Sequence, residues 1–140
     1  MKAADFFQGA LTTALAADEI IVDVRLPPWP ARRRWGFQEF ARRRGDFALA
    51  AAAVFYDEDD SGKARNVHVG AIGVGDTPVR LHAVEAVLEG HSIDEDTIAK
   101  ADAAAASAVH PHDDIHGSAA YRRALTGTMV ERALRAARAS

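Results

Sequence analysis

The sequence predicts an α+β fold in which a small three-stranded antiparallel sheet carries a cluster of about three helices. Three observations lead there. Period-two apolar alternation is confined to the first half of the chain, while helical spacing with start and stop residues governs the second half. Strands followed by helices, rather than strands alternating with them, favour segregated layers over a parallel α/β sheet. A length of 140 residues with 49% hydrophobic content suits one compact core, so residues 1–140 are read as a single domain.

The elements follow in order. After a short amphipathic opening, Ile20, Val22, Val24 and Leu26 alternate with Ile21, Asp23 and Arg25, the pattern of a strand that Pro27, Pro28 and Pro30 terminate. The run Phe47 to Tyr56 mixes helix-favouring alanines with Val54-Phe55-Tyr56, and is read as a strand that begins with a helical turn. Asp57-Glu58-Asp59-Asp60-Ser61-Gly62 supplies turn chemistry, and Val67, Val69 and Ala71 alternate beyond it, which predicts an antiparallel hairpin. Thr77 and Pro78 look like the cap and first residue of a helix with Leu81, Val84 and Leu88 on one face and Gly90 as its stop. Ser92 with Glu95 forms a capping box ahead of an alanine-rich helix over 94–109. In the last helix Tyr121, Leu125, Met129, Ala133 and Ala137 make a stripe, and Arg132, Arg135 and Arg138 suit the negative end of its dipole.

Composition narrows the function. Without cysteine the chain has no disulfide, thiolate zinc site, cysteine nucleophile or iron–sulfur ligand of its own. The start lacks the apolar segment of a signal peptide, no apolar run approaches a membrane span, and a cytoplasmic protein is expected. The net charge of -3 conceals an asymmetry: six arginines, Arg32, Arg33, Arg34, Arg42, Arg43 and Arg44, lie in one stretch, while acidic residues cluster at 57–60 and 94–96. The arginines, with Trp35, Phe37 and Phe40 among them, can face a phosphate, a nucleic acid or an acidic partner, or form a solvated face. The acidic balance and the lack of a nucleic-acid motif count against nucleic acid.

Other constellations are incomplete. His110, His112, Asp113, Asp114 and His116 are spaced for a metal but lack a completing ligand pattern. Asp57, Asp59, Ser61 and Gly62 start like a calcium loop, yet His68 stands where a bidentate glutamate is required. Gly70, Gly73 and Gly75 do not reproduce a dinucleotide fingerprint, and closely packed backbone with a tight turn is the alternative. Neither Ser61 nor Ser118 sits in a nucleophile elbow, and capping explains Asp113 and Asp114 as well as acid–base chemistry does.

Five segments taken in order carry a resemblance: Asp5-Phe6-Phe7-Gln8-Gly9, the Glu19–Pro27 stretch, Phe37 through Phe47 with its Arg42-Arg43-Arg44-Gly45-Asp46 core, Gly73 through Arg80, and Gly117 through Arg123. Together they resemble the C-terminal domain of the FAD-binding, or medium, subunit of carbon monoxide dehydrogenase and xanthine dehydrogenase-like molybdenum hydroxylases. The resemblance implies an antiparallel sheet with associated helices, and an accessory role in an oxidoreductase: completing the FAD site and docking subunits for electron transfer. It implies as partners the upstream FAD-binding subdomains, a molybdenum subunit and an iron–sulfur subunit. It makes Gln38, Arg42 and Arg44, on the stretch that approaches the flavin, candidate cofactor contacts; Gln38 stands where many relatives carry a lysine. The glycine-rich pyrophosphate loops of the family are not in this sequence, so FAD belongs to the complete subunit and tight binding by this chain alone is not expected. Two further readings accompany this one, a repurposed small-molecule-binding protein or non-redox isomerase or cyclase, and a structural homo-oligomer.

Overall fold

The computed structural model describes all residues from Met1 to Ser140. In chain order the elements are α1 (Ala3–Phe6), β1 (Phe7–Gly9), β2 (Thr12–Thr13), β3 (Arg33–Phe40), β4 (Ala50–Glu58), β5 (Ala64–Ile72), β6 (Val79–Arg80), α2 (His82–Leu88), α3 (Glu95–Ala108) and α4 (Ala119–Arg138). The α+β class holds, with a correction to the count. There are two antiparallel sheets, a two-stranded β1–β2 pair and a four-stranded sheet in the order β3-β4-β5-β6, and a short fourth helix at the start.

The predicted β4–β5 hairpin is present, with Val54 opposite Val69 and Ala52 opposite Ala71. Its tip is closed by Asp59, whose carboxylate accepts from the Ser61 and Lys63 amides and from the Ser61 hydroxyl. No helical turn precedes β4. Two expectations about strands fail. The Ile20–Leu26 stretch joins no sheet; its apolar side chains are exposed. Instead the arginine-rich segment forms β3, pairing along its whole length with β4 from Arg33–Asp57 to Phe40–Ala50. Charge hid this strand: Arg33, Arg34 and Gly36 break the apolar alternation, and cross-strand partners supply what the local pattern lacks.

Gly36 is the key to its placement. A Cβ there would collide with the Ala133 carbonyl and come within 3.1 Å of the Ala137 nitrogen, so glycine lets β3 lie directly against the backbone of α4. The helices cover one face of the sheet only. The buried residues Ala50, Ala52, Val54, Tyr56, Val67, Val69 and Ala71 form the sheet side of the core. Ile98, Ala101 and Ala105 of α3, with Met129, Val130, Ala133, Leu134 and Ala137 of α4, form the helical side. Alanines on both layers permit this close approach.

Three local predictions need revision. Val79–Arg80 pairs with β5, so Thr77-Pro78 leads into a strand and α2 begins only at His82. The cap of α3 is Asp94, whose carboxylate accepts from the Thr97 amide at 2.9 Å, in place of a Ser92–Glu95 box. On α4 the buried stripe departs from the prediction only at its start, where Arg122 is 7% exposed and Tyr121 is 45% exposed. The other stripe residues are buried as predicted, as are Leu81, Val84 and Leu88, and Gly90 ends the α2 turn at φ 78°.

Candidate functional site: an arginine-bearing rim beside a partly exposed sheet face

The first arginine triplet is used internally. Arg33 makes a two-pronged pair with Asp57 at 2.8 and 3.0 Å, Arg32 reaches Asp60 at 2.5 Å, and Arg34 faces Glu58 at 3.6 Å and donates to the Ser140 carbonyl. The antiparallel register causes this, because it sets Arg33 opposite Asp57 and Arg34 opposite Tyr56, beside Glu58. The Arg33 guanidinium beside Asp57 holds that carboxyl below its ordinary value, against the opposing effect of burial. Arg33 also lies 4.6 Å above the Phe55 ring and 5.3 Å from that of Trp29, and Phe55 stacks on His68 at 4.5 Å. The acidic tip and the basic stretch, separate in the sequence, neutralise one another. The second acidic cluster does likewise: Glu95 receives Arg135 at 2.5 Å and Arg138 at 2.8 Å.

The second triplet is different. Arg42, Arg43 and Arg44 sit in the exposed turn between β3 and β4, and none forms an ion pair. Arg42 contacts His116 Nδ1 at 3.2 Å, bringing the His110–Gly117 loop alongside. Phe47 and Ile115, each 92% exposed, add apolar surface to the same rim. Of the sequence-predicted site residues, Arg42 and Arg44 therefore share this turn. Gln38 lies two residues beyond Gly36 on β3, on the helix-facing side, and is half-buried.

A residue that sequence reasoning missed fixes the rim. Arg122 donates to the Leu49 carbonyl at 3.0 Å, the Gly73 carbonyl at 2.9 Å and Asp114 Oδ2 at 2.6 Å. It thus ties the exit of the arginine turn, the turn after β5 and the histidine loop to the first turn of α4. The Asp114 carboxyl falls to about 2, chiefly through the Arg122 hydrogen bond and then through the His116 amide. Asp113 accepts from the Ala119 amide at 2.5 Å. Both aspartates of the loop are engaged in turn and cap contacts, and no three His, Cys, Asp or Glu side chains are grouped to hold a metal. The available signal for Arg122 was its spacing: it stands three residues before Leu125 and seven before Met129, on the apolar stripe itself.

The glycines form no phosphate cradle. Gly73, at φ 79°, packs against the Ala48 and Leu49 carbonyls, where a Cβ would lie 2.5 and 3.1 Å from their oxygens, and Gly70 lies within β5. The residues of this chain do not by themselves fit a dinucleotide pyrophosphate, which requires converging backbone N–H groups. What they offer is one cationic, partly apolar wall.

The face of the sheet opposite the helices is only partly covered, by Trp29 against Phe55 and by the Ala3–Phe7 stretch. Trp35 and Phe37 of β3 are about half exposed, Ile72 of β5 is exposed, and a cleft of about 410 Å³ runs between Phe7, Phe55, His68 and the Pro78–Arg80 stretch. Contiguous apolar surface of this kind marks a contact face. Fold and rim together define a class: an α+β domain that shields one side of its sheet with its own helices and leaves much of the other side, and an arginine-bearing edge, exposed.

The particular family follows from comparison. The chain belongs to the CO dehydrogenase flavoprotein C-terminal domain family, whose model matches residues 35–137. It is 38% identical to the nicotine 6-hydroxylase medium subunit of Paenarthrobacter nicotinovorans over 96% of this chain and 46% of that protein. It is 34% identical to the carbon monoxide dehydrogenase medium chain of Afipia carboxidovorans over 99% of this chain and 48% of that one. The fold superposes on the carbon monoxide dehydrogenase of Hydrogenophaga pseudoflava with a TM-score of 0.89 at 33% identity, covering 97% of this chain and 47% of the other. The chain spans about half the length of the curated relatives it matches. No helix is long and apolar enough to cross a membrane.

Proposed function

We propose that this chain is the accessory half of a molybdenum hydroxylase flavoprotein subunit, supplying one wall of an FAD site and a docking surface for the upstream FAD-binding subdomains and for molybdenum and iron–sulfur subunits. The observation that carries this reading is the Arg42-Arg43-Arg44 turn, free of ion pairs, beside a partly exposed sheet face, in a chain that matches medium subunits along nearly its whole length. Guanidinium groups without acidic partners suit the negative charge of a phosphate or a reduced flavin, and apart from the Arg42 contact to His116 their donors are not committed. Arg42 and Arg44 are the proposed direct contacts. Gln38, half-buried on β3, is the third proposed contact.

The reading explains why the chain has a rim without a cradle. The pyrophosphate loops reside in the upstream half, and the present residues contribute orientation and charge, with the flavin carrying the redox chemistry when bound. Titration with FAD, by calorimetry and flavin fluorescence, tests it. The chain alone should bind no FAD stoichiometrically, whereas the subunit reconstituted with its upstream half should, and Arg42→Ala with Arg44→Ala should lower that affinity about tenfold or more. Tight binding by the chain alone, or unchanged affinity in the double variant, overturns the proposal.

A further inference from the structure

We infer that His116 is a positioning residue, which holds the Arg42 guanidinium in one orientation while leaving its charge uncancelled, and so makes Arg42 the preorganised arginine of the rim. This rests on the proposed function for what Arg42 meets, and on the geometry of the histidine loop for how Arg42 is held.

Arginines in this chain are held in two ways. Arg33 and Arg135 are held by carboxylates, Asp57 for the first and Glu95 with Glu131 for the second, which fix the side chain and cancel its charge together. Arg42 is held by a ring nitrogen instead, with Nη1 at 3.2 Å from His116 Nδ1. A guanidinium has donors and no acceptor, so Nδ1 presents its lone pair, the ring proton sits on Nε2, and the accepting ring carries no charge. Such a partner orients the fork of N–H groups without neutralising it. Only Nη1 of Arg42 is used in this way, which leaves Nη2 and Nε to donate to an anion.

The loop that carries the imidazole is itself pinned. Asp114 Oδ1 accepts from the His116 amide at 2.8 Å and from the Gly117 amide at 3.0 Å, while Oδ2 accepts from Arg122 at 2.6 Å. With both oxygens engaged, this carboxylate is not offered to Arg42, and the imidazole two residues further on is. At the other end, Arg42 leaves a turn closed by the Leu49 amide on the Phe40 carbonyl at 2.9 Å and by the Asp46 amide on the Arg43 carbonyl at 3.2 Å. The backbone on both sides is thus fixed by bonds that involve neither side chain, and the contact between Arg42 and His116 decides only where the guanidinium lies. Arg43 and Arg44, on the same exposed turn, make no side-chain hydrogen bond. Of the three, Arg42 alone meets a ligand with its side chain already ordered. Ordering a long, flexible side chain during binding lowers affinity about fivefold, and His116 removes that cost for Arg42.

Two measurements test this, one on the contact and one on its consequence. Side-chain nitrogen NMR of this chain should find His116 Nδ1 unprotonated, and should find Arg42 Nε motion that is restricted in the parent, freed in His116→Ala and restricted again in His116→Asn, whose Oδ1 falls about where Nδ1 lies. Both side chains are exposed, so neither variant disturbs the core. A proton on Nδ1, or Arg42 motion indifferent to His116→Ala, overturns the inference and leaves the proposed function standing. FAD affinity of the subunit reconstituted with its upstream half reads the consequence. His116→Ala should weaken it about fivefold, His116→Asn should restore most of the loss, and His116→Ala should have no effect once Arg42→Ala is present. A loss of equal size with and without Arg42 shows that His116 acts by another route, and also overturns the inference. If Arg42→Ala itself leaves FAD affinity unchanged, the proposed wall falls and the positioning role with it; an intact NMR contact then marks this as a failure of the functional reading and not of the geometry.

Discussion

Replacing Arg122 with alanine should destabilise the fold far more than a charged residue in a first helical turn would ordinarily suggest. The side chain is 7% exposed and is the hydrogen-bond donor to the Leu49 and Gly73 carbonyls, neither of which has another partner in the chain. Stranding a buried carbonyl costs about 1–3 kcal/mol. Leu49 is buried and merits about 2 kcal/mol, while Gly73 is half-buried and open to water, which lowers its share to about 1 kcal/mol. The Asp114 contact adds nothing to this figure, since that carboxylate is 44% exposed and solvent replaces the pair. A loss of about 3 kcal/mol against an unfolding entropy of about 0.3 kcal/mol/K for 140 residues is a fall of about 10 °C in Tm. Thermal unfolding by far-UV circular dichroism reads it. Arg122→Lys should recover part of the loss, because an ammonium reaches one carbonyl well but lacks the planar fork that spans both. A fall of under about 3 °C for Arg122→Ala would refute the clamp, since it would mean that both carbonyls find water at little cost.

Three further predictions use the same geometry. Gly36→Ala should cost about 3 kcal/mol or prevent folding, while Gly70→Ala, whose Cβ would meet nothing nearer than 3.8 Å, should cost about 0.5 kcal/mol or less; equal urea midpoints for the two would contradict the packing of β3 on α4. Asp114 protonates in the fold only near pH 2, so its contribution is present above its ordinary pKa and vanishes as pH falls toward 2; NMR shifts of the His116 and Gly117 amides should titrate with a midpoint near 2, and one near 4 would remove the clamp from the loop. Burial pushes the Glu85 carboxyl up, but the hydrogen bonds from Arg80, the Val69 amide and His82 prevail and hold it below its ordinary value. Its stabilisation is therefore full above the ordinary glutamate range and lost in acid, so Glu85→Gln should flatten the acid limb of stability against pH; an unchanged limb would show that the carboxylate contributes nothing there.

The parts of the fold that were legible in the sequence are those in which a residue's role is decided by its neighbours in the chain. The β4–β5 hairpin was read from alternation and an acidic turn, and α3 and α4 from alanine content and spacing, because hairpin and helix contacts are local. β3 was not legible, since its justification lies in partners brought by the register: Asp57 and Glu58 for its arginines, and the backbone of α4 for Gly36. Arg122 escaped for a related reason. An arginine three residues after a helix start reads as solvated, and only the convergence of two loop carbonyls and Asp114 makes its burial favourable.

Ile20–Leu26 teaches the converse. Here the local signal for a strand was sound and no sheet appeared, so the expectation and the structure disagree about residues that both treat as extended. The disagreement resolves once a strand is understood as half of a contact: alternation states which face is to be buried, and says nothing about whether the covering surface lies in the same 140 residues. The same argument separates the two arginine triplets. Arg32, Arg33 and Arg34 find their acids across the β3–β4 ladder, whereas Arg42, Arg43 and Arg44, equally basic in the sequence, find none. Arginines left without acids are therefore the residues that the proposed FAD wall draws on, because only their charge is not already cancelled inside the chain.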